Sequence, residues 1–300
     1  MAHEHHHEPK NFNRAFAIGV VLNVGFVIIE AFYGFMADSI ALIADAGHNF
    51  SDVISLLLAW GASHIAGAKP TKRRTYGFRR ATIIASVTSA IMLFIALGGI
   101  TWEALGRFGD PQAVDSSIII VVAAIGVVIN TITALLFISG QKHDLNIRGA
   151  YLHMAADAGV SLGVVIAGVA IMTTGWLWLD PVISLLIVAI VLIGTWRLFM
   201  DSMNLSLDAA PTDIDVAEIE NYLLNLDSVI NTHDLHIWAL STRETALTVH
   251  LVVNEALIDN HFLEGVTQEL HDRYSIEHAT IQIENRASSG SCRLDRPECI

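Results

Sequence analysis

Six apolar stretches, residues 15–37, 40–67, 81–105, 117–139, 149–175 and 178–200, set the terms for any fold of this chain. Each exceeds the ~20 helical residues needed to cross a hydrocarbon core ~30 Å thick. Lipid offers backbone N–H and C=O groups no water, so such stretches are expected as helices rather than open strands. The composition agrees: with 53% hydrophobic and 16% charged residues, the chain is too apolar for an ordinary soluble protein of its length. Positive charge orients the spans. Lys10 and Arg14 precede the first, Lys69, Lys72, Arg73, Arg74, Arg79 and Arg80 follow the second, Lys142 and Arg148 follow the fourth, and Arg197 ends the sixth. Only Arg107 falls on the other side, which places both termini in the cytoplasm, at the plasma (inner) membrane if the source is bacterial.

The pattern changes after Leu207. Pro211 stops the last span, Thr212 and Asp213 can cap a new helix, and Val216 to Leu226 has helical periodicity. Val229 to Leu240 and Thr245 to Val253 read as strands, Phe262 to Tyr274 as an amphipathic helix, and Ala279 to Ile283 as a further strand. The expected organisation is a cytoplasmic tail (1–14), a six-helix transmembrane domain (15–207), a ferredoxin-like αββαβ domain of the α+β class (208–286) and a C-terminal tail (287–300). From Asp208 onward 17 Asp and Glu face 5 Arg and no Lys, so most of the chain's net charge of -13 lies there. An acidic, membrane-anchored chain has no electrostatic case for nucleic acid.

Two cysteines, Cys292 and Cys299, lie in the C-terminal tail, so no disulfide framework is expected. They are either solvated tail residues or extra soft metal ligands beside Asp295 and Glu298. The N-terminus, with His3, His5, His6 and His7 interleaved with Glu4 and Glu8, lacks the basic region of a signal peptide. It reads as a loose collector of metal ions or as a plain disordered tail.

The chemistry lies in a spacing that occurs twice: His48 with Asp52 in the second span and His153 with Asp157 in the fifth. On a helix, residues i and i+4 share a face, about 6 Å apart along the axis at ~1.5 Å per residue. Two such helices side by side supply two nitrogens and two oxygens, a set suited to a tetrahedral divalent ion such as zinc. A carboxylate at mid-bilayer costs ~2.5 kcal/mol or more, so Asp52 and Asp157 need a metal, a proton or water. Ala44, Ala46, Gly47 and Ser51 flank the first pair and Ala155, Ala156, Ala158 and Gly159 the second, which allows close helix approach. Asp45, one turn before His48, is expected to fix the His48 tautomer, to relay protons or to start the helix. Asn23, Glu30, Glu103 and Asn130 read as interhelical hydrogen-bond partners or as groups near water, with a direct part in ion passage as the alternative, and His64 as a solvated helix-end residue.

With these residues in place, the chain resembles the cation diffusion facilitator family of zinc-exporting transporters. The resemblance rests on Ser39 to Asp52 in the second span, Tyr76-Gly77-Phe78-Arg79-Arg80 before the third, His153 to Asp157 in the fifth, Glu103 to Arg107 with Pro111, and His233-Asp234-Leu235-His236-Ile237-Trp238 with His250. It implies a homodimer, a metallochaperone-like cytoplasmic domain, and export of zinc against protons through His48, Asp52, His153 and Asp157, with cobalt and cadmium as companions. Thr82 and Ser89 stand where many members carry Glu and Asn. The connection between the second and third spans offers only His64 and bases, so no metal site is expected there. The fourth connection carries His143 alone.

His233, His236, His250 and Glu284 are candidate ligands in the cytoplasmic domain. A regular strand would turn His233 and His236, three apart, to opposite faces. The expected function is proton-coupled efflux of a divalent metal by alternating access, with metal ions, protons, lipid and a second copy of the chain as partners. Rival readings of the same residues are a membrane metal sensor and an intramembrane metalloenzyme. Four protein ligands and the absence of a His-Glu-x-x-His run disfavour an enzyme.

Overall fold

The computed structural model describes residues 13–138, 145–227, 229–254 and 260–285. Six long helices come first: α1 (Asn13–Met36), α2 (Ile40–Ala66), α3 (Ala81–Gly109), α4 (Ser116–Phe137), α5 (Leu145–Thr174) and α6 (Leu179–Ser206). Their interiors contain no proline. Pro70, Pro111 and Pro211 fall between elements, and Pro181 sits in the first turn of α6, where its missing N–H removes no helical hydrogen bond. Among the described residues, helices α2 to α6 are each long and apolar enough to cross a membrane. The protein is a multi-pass integral membrane protein.

Contacts divide the chain into two compact units, residues 1–57 with 89–196 and residues 58–88 with 197–300. The core of the first gathers Phe26 of α1, Leu42 of α2, Leu97 of α3, Ile119 and Ala123 of α4, Val164 of α5 and Ile187 of α6. Close packing depends on small residues. A Cβ on Gly126 would stand 2.7 Å from Phe26 Cζ and 3.1 Å from Ser161 Oγ, and one on Gly168 would stand 2.9 Å from Ile120 Cγ1. Outward, Trp102 is 82% and Ile193 74% exposed, a surface suited to lipid.

Two helix starts in this unit are fixed by carboxylates. Asp115 caps α4 by accepting from Ser117 N at 3.0 Å and Ile118 N at 3.2 Å. Helix α2 is capped from another helix: buried Asp180 of α6 accepts from Ser39 Oγ at 2.5 Å, Ile40 N at 2.9 Å and Ala41 N at 3.3 Å. Arg107 of α3 closes the same corner, 2.7 Å from Asp38 Oδ1 and 4.0 Å from Asp180 Oδ2, and it also bonds the Asp38 carbonyl.

The second unit contains α7 (Val216–Leu224), β1 (Val229–Ala239), β2 (Thr245–Val253), α8 (Asn260–Tyr274) and β3 (Ile276–Asn285). The element order is the expected αββαβ. The strands lie in the order β1-β2-β3, the first pair antiparallel and the second parallel. A parallel pair needs a crossover, and α8 provides it. Ile219 and Leu223 of α7, Leu247 and Leu251 of β2, Leu270 of α8 and Ile276 of β3 form the core. The cap of α7 is Asp215, which accepts from Ala217 N at 2.9 Å and Glu218 N at 3.2 Å, rather than Thr212 or Asp213.

Strand β1 carries a bulge. His233 pairs with His250 and His236 with Thr248, so two residues of β1 oppose the single Val249 of β2. Asp234 absorbs the extra residue at φ 52°, a conformation that Asp tolerates better than most side chains. The bulge resets the alternation and returns His233 and His236 to one face, correcting the expectation that they oppose each other. In the same unit, Arg79 pairs with Glu244 at 2.9 Å, Arg80 pairs with Asp208, and Thr82 Oγ1 accepts from Thr242 N at 3.1 Å.

Candidate functional site

Helices α2 and α5 bring His48, Asp52, His153 and Asp157 together. His48 Nε2 lies 3.8 Å from Asp52 Oδ2 and 3.5 Å from Asp157 Oδ1; His153 Nε2 lies 3.2 Å from Asp52 Oδ2 and 3.7 Å from Asp157 Oδ2. Imidazole and carboxylate thus alternate around a ring. All four separations exceed the ~2.7–2.9 Å of a charge-assisted hydrogen bond. They approach the edge of a tetrahedron whose bonds are ~2.0 Å, about 3.3 Å. The two imidazoles stand 6.1 Å apart, nearly perpendicular, which leaves room for an ion. Asp52 Oδ2 and Asp157 Oδ2 are buried and, apart from these imidazole contacts, have no hydrogen-bond partner among the described residues. Buried carboxylate oxygens are costly and are normally matched by a cation or a donor.

Exposure is uneven within this group. Asp157 is 3% exposed and His48 17%, whereas Asp52 is 34% and His153 44%. The open flank lies toward the C-terminal end of α2 and the N-terminal end of α5.

Asp45 takes a different place from the one expected of a tautomer-setting group. It is fully buried and accepts from Ser161 Oγ of α5 at 3.0 Å, while His48 Nδ1 is buried with no partner among the described residues. Its carboxyl also lies within hydrogen-bonding reach of buried Glu30 of α1. Glu30 in turn accepts from Asn49 Nδ2 at 3.3 Å. Glu30 and Asn23, whose Nδ2 donates to Met154 Sδ at 3.5 Å, are interhelical partners as expected. Asn130 is fully buried with neither side-chain polar atom paired among the described residues. Glu103 pairs within its own helix, with Arg107 at 3.3 Å, and His64 is exposed and stacks on Trp60.

Residue-by-residue reading of the sequence missed Asn49, Ser161 and Asp180. A signal existed for two of them: the four-residue spacing from His153 to Asp157 continues to Ser161, and that from Asp45 continues to Asn49. Asp180 precedes Pro181 at a helix start, a pattern that marks the residue as a cap without revealing which helix it caps.

In the cytoplasmic domain, His233, His250 and Glu284 offer ligand atoms within 4.8 Å of one another. His233 Nε2 lies 3.2 Å from Glu284 Oε2 and His250 Nδ1 lies 2.8 Å from Glu284 Oε1. The register explains the meeting, because His233 and His250 are direct cross-strand partners and Glu284 lies two residues beyond the β3 partner of His250. The donor set suits a divalent transition metal. His236 is left out of the cluster: its Nε2 pairs with Asp234 Oδ1 at 2.9 Å, while Asp234 Oδ2 reaches 3.6 Å from His250 Nε2. The N-terminal histidines, His143, Cys292 and Cys299 lie outside the described residues.

Comparison with known proteins adds to this geometry. Residues 16–205 match the family described as the cation efflux transmembrane domain, and residues 211–286 match the cytoplasmic domain of cation efflux proteins. The metal cation efflux system protein CzcD of Cupriavidus metallidurans is 39% identical over 284 residues, covering 94% of this chain and 89% of that protein. The cadmium, cobalt and zinc/H(+)-K(+) antiporter of Bacillus subtilis is 35% identical, covering 94% and 92%. The zinc transporter ZitB of Escherichia coli is 36% identical, covering 98% and 96%. Matched in both its membrane helices and its cytoplasmic domain, the protein belongs to the cation diffusion facilitator family of metal transporters and is not an enzyme.

Proposed function

We propose that the protein exports zinc from the cytoplasm in exchange for protons, with cobalt and cadmium as further substrates, and that His48, Asp52, His153 and Asp157 hold the ion in transit. The observation that carries this reading is the alternating ring of imidazole and carboxylate atoms 3.2–3.8 Å apart across α2 and α5. Two carboxylates and two neutral imidazoles around a dication leave no net charge in the membrane interior, where an uncompensated charge is expensive. Without metal, two protons restore the same neutrality. Ligands must be deprotonated to bind zinc, so zinc and protons compete for one set of atoms.

The open flank on Asp52 and His153 faces the ends of α2 and α5 that the distribution of bases assigns to the cytoplasm, which supports an inward-facing state. Rocking of α2 against α5 would close that flank and expose the ion on the other side. The protein would act as a homodimer with both termini in the cytoplasm, at the inner membrane of a bacterial cell, in keeping with relatives named as efflux systems and antiporters. His233, His250 and Glu284 would hold a regulatory or structural ion in the cytoplasmic domain.

The test is metal-dependent proton flux in liposomes carrying the full chain, assayed with zinc, cobalt, cadmium, manganese and iron. Zinc should move protons in the opposite direction and compete with cobalt and cadmium. Metal binding without flux would indicate a sensor rather than a transporter.

A further inference from the structure

Beside the metal ligands lies a second polar group that zinc coordination does not use. Glu30 of α1 and Asp45 of α2 are both fully buried, their carboxyls within hydrogen-bonding reach of each other. One oxygen of each is already engaged: Glu30 Oε2 accepts from Asn49 and Asp45 Oδ2 accepts from Ser161. The other two, Glu30 Oε1 and Asp45 Oδ1, are buried and have no donor among the described residues. A bare carboxylate only accepts hydrogen bonds, so two facing carboxylates satisfy each other only with a proton between them.

The position of this pair fits passage of that proton. Asp45 precedes His48 by three residues on α2, and Ser161 follows Asp157 by four on α5. Because the helices run in opposite directions, both offsets point away from the cytoplasmic ends, by about 4.5–6 Å at ~1.5 Å per residue. The pair therefore stands between the metal ligands and the far side of the membrane. The other ionisable groups whose charge acts on it are His48 of α2 and Asp157 of α5. Helix α4 contains no ionisable residue and contributes Gly126, beside Ser161, with Asn130, unpaired among the described residues, one turn further along the same face. Among the described residues these surroundings supply hydrogen-bonding oxygens and amides, and no Lys or Arg acts on the pair to replace the proton.

We propose that Glu30 and Asp45 form a proton-binding station on the outer side of the zinc ligands, through which the counter-transported proton reaches them. This inference rests on the exporter reading and adds to it a site that binds the coupling ion and not the metal. A proton entering from outside is held between the two carboxyls, passes to the Asp157 and His48 side as zinc leaves, and is replaced by the next.

The test separates exchange from coupled transport. In liposomes with the full chain, exchange of labelled zinc for unlabelled zinc at equal pH needs the metal site alone, whereas uphill zinc movement driven by a pH gradient also needs the proton. Glu30→Gln is expected to keep zinc-zinc exchange within about twofold of wild type while lowering gradient-driven transport about tenfold or more, as loss of a proton-transfer group does. Asp45→Asn, made separately in case one variant fails to fold, should do the same. Equal loss of exchange and coupled transport in properly folded variants would overturn the proposal, as would loss of neither. Loss of a bound zinc equivalent in Glu30→Gln would overturn it in favour of a second metal site. A wild type that performs zinc-zinc exchange but no proton-driven transport would refute the coupling itself, a result distinguishable from any failure confined to the variants.

Discussion

His153 Nε2 of α5 stands 3.2 Å from Asp52 Oδ2 of α2, closer than either histidine stands to the aspartate on its own helix, at 3.8 and 3.7 Å. Each helix supplies a pair too widely spaced for a good hydrogen bond, and the group closes only when α2 and α5 meet. Asp157→Ala and Asp52→Ala should therefore each lower zinc flux in liposomes at least about a hundredfold, since either leaves an incomplete ligand set. The double variant should be little worse than the singles, because residues acting as one unit are not additive. Independent, additive losses would argue for separate roles.

Asp180 and Arg107 hold the N-terminal start of the helix that carries His48 and Asp52. Asp180→Ala strands Ile40 N and Ala41 N and leaves Arg107 short of a neighbour, at a cost of about 2–4 kcal/mol. Asp180→Asn keeps one side-chain acceptor and should lose less. Thermal unfolding in detergent ranks the two, and equal melting temperatures for all three proteins would show that the cap contributes nothing.

The close approach of α4 and α5 predicts a contrast between glycines. Gly168→Ala places a methyl group 2.9 Å from Ile120 Cγ1 and should destabilise by about 1–3 kcal/mol. Gly98→Ala on α3 meets nothing within 4 Å and should be neutral or stabilising by about 0.5–1 kcal/mol through helix propensity. The same melting measurement checks both. A harmless Gly168→Ala would mean that the two helices separate easily.

Glu284 contributes one oxygen to His233 and the other to His250, so Glu284→Gln should weaken metal binding in the cytoplasmic domain while leaving the helices' site intact. Calorimetry on the full chain should lose one zinc equivalent per protomer. His236→Ala should lose none, because His236 turns to Asp234 instead. The reverse result would move the site along β1.

The membrane helices were legible in the sequence because length and hydropathy alone decide them, and the His48, Asp52, His153 and Asp157 set because a four-residue spacing fixes the face of a helix. What the sequence hid depended on tertiary or irregular backbone detail. The shared face of His233 and His236 follows from a bulge at Asp234 that no alternation rule anticipates. The cap of α2 comes from Asp180, 140 residues from Ile40 along the chain. Asp45 sits one turn from His48 yet turns to Ser161 and Glu30, since the helices packed around it decide its neighbours.

Transport as proposed requires α2 and α5 to coordinate one zinc ion jointly. Zinc-edge X-ray absorption on the full chain carrying Glu284→Gln, loaded with one zinc equivalent per protomer, reads that coordination. Four light ligands at about 2.0–2.1 Å are expected, two of them imidazole, with the imidazole signal halved by His153→Ala. Thiolate scattering near ~2.3 Å, or a spectrum unchanged by His153→Ala, would contradict it.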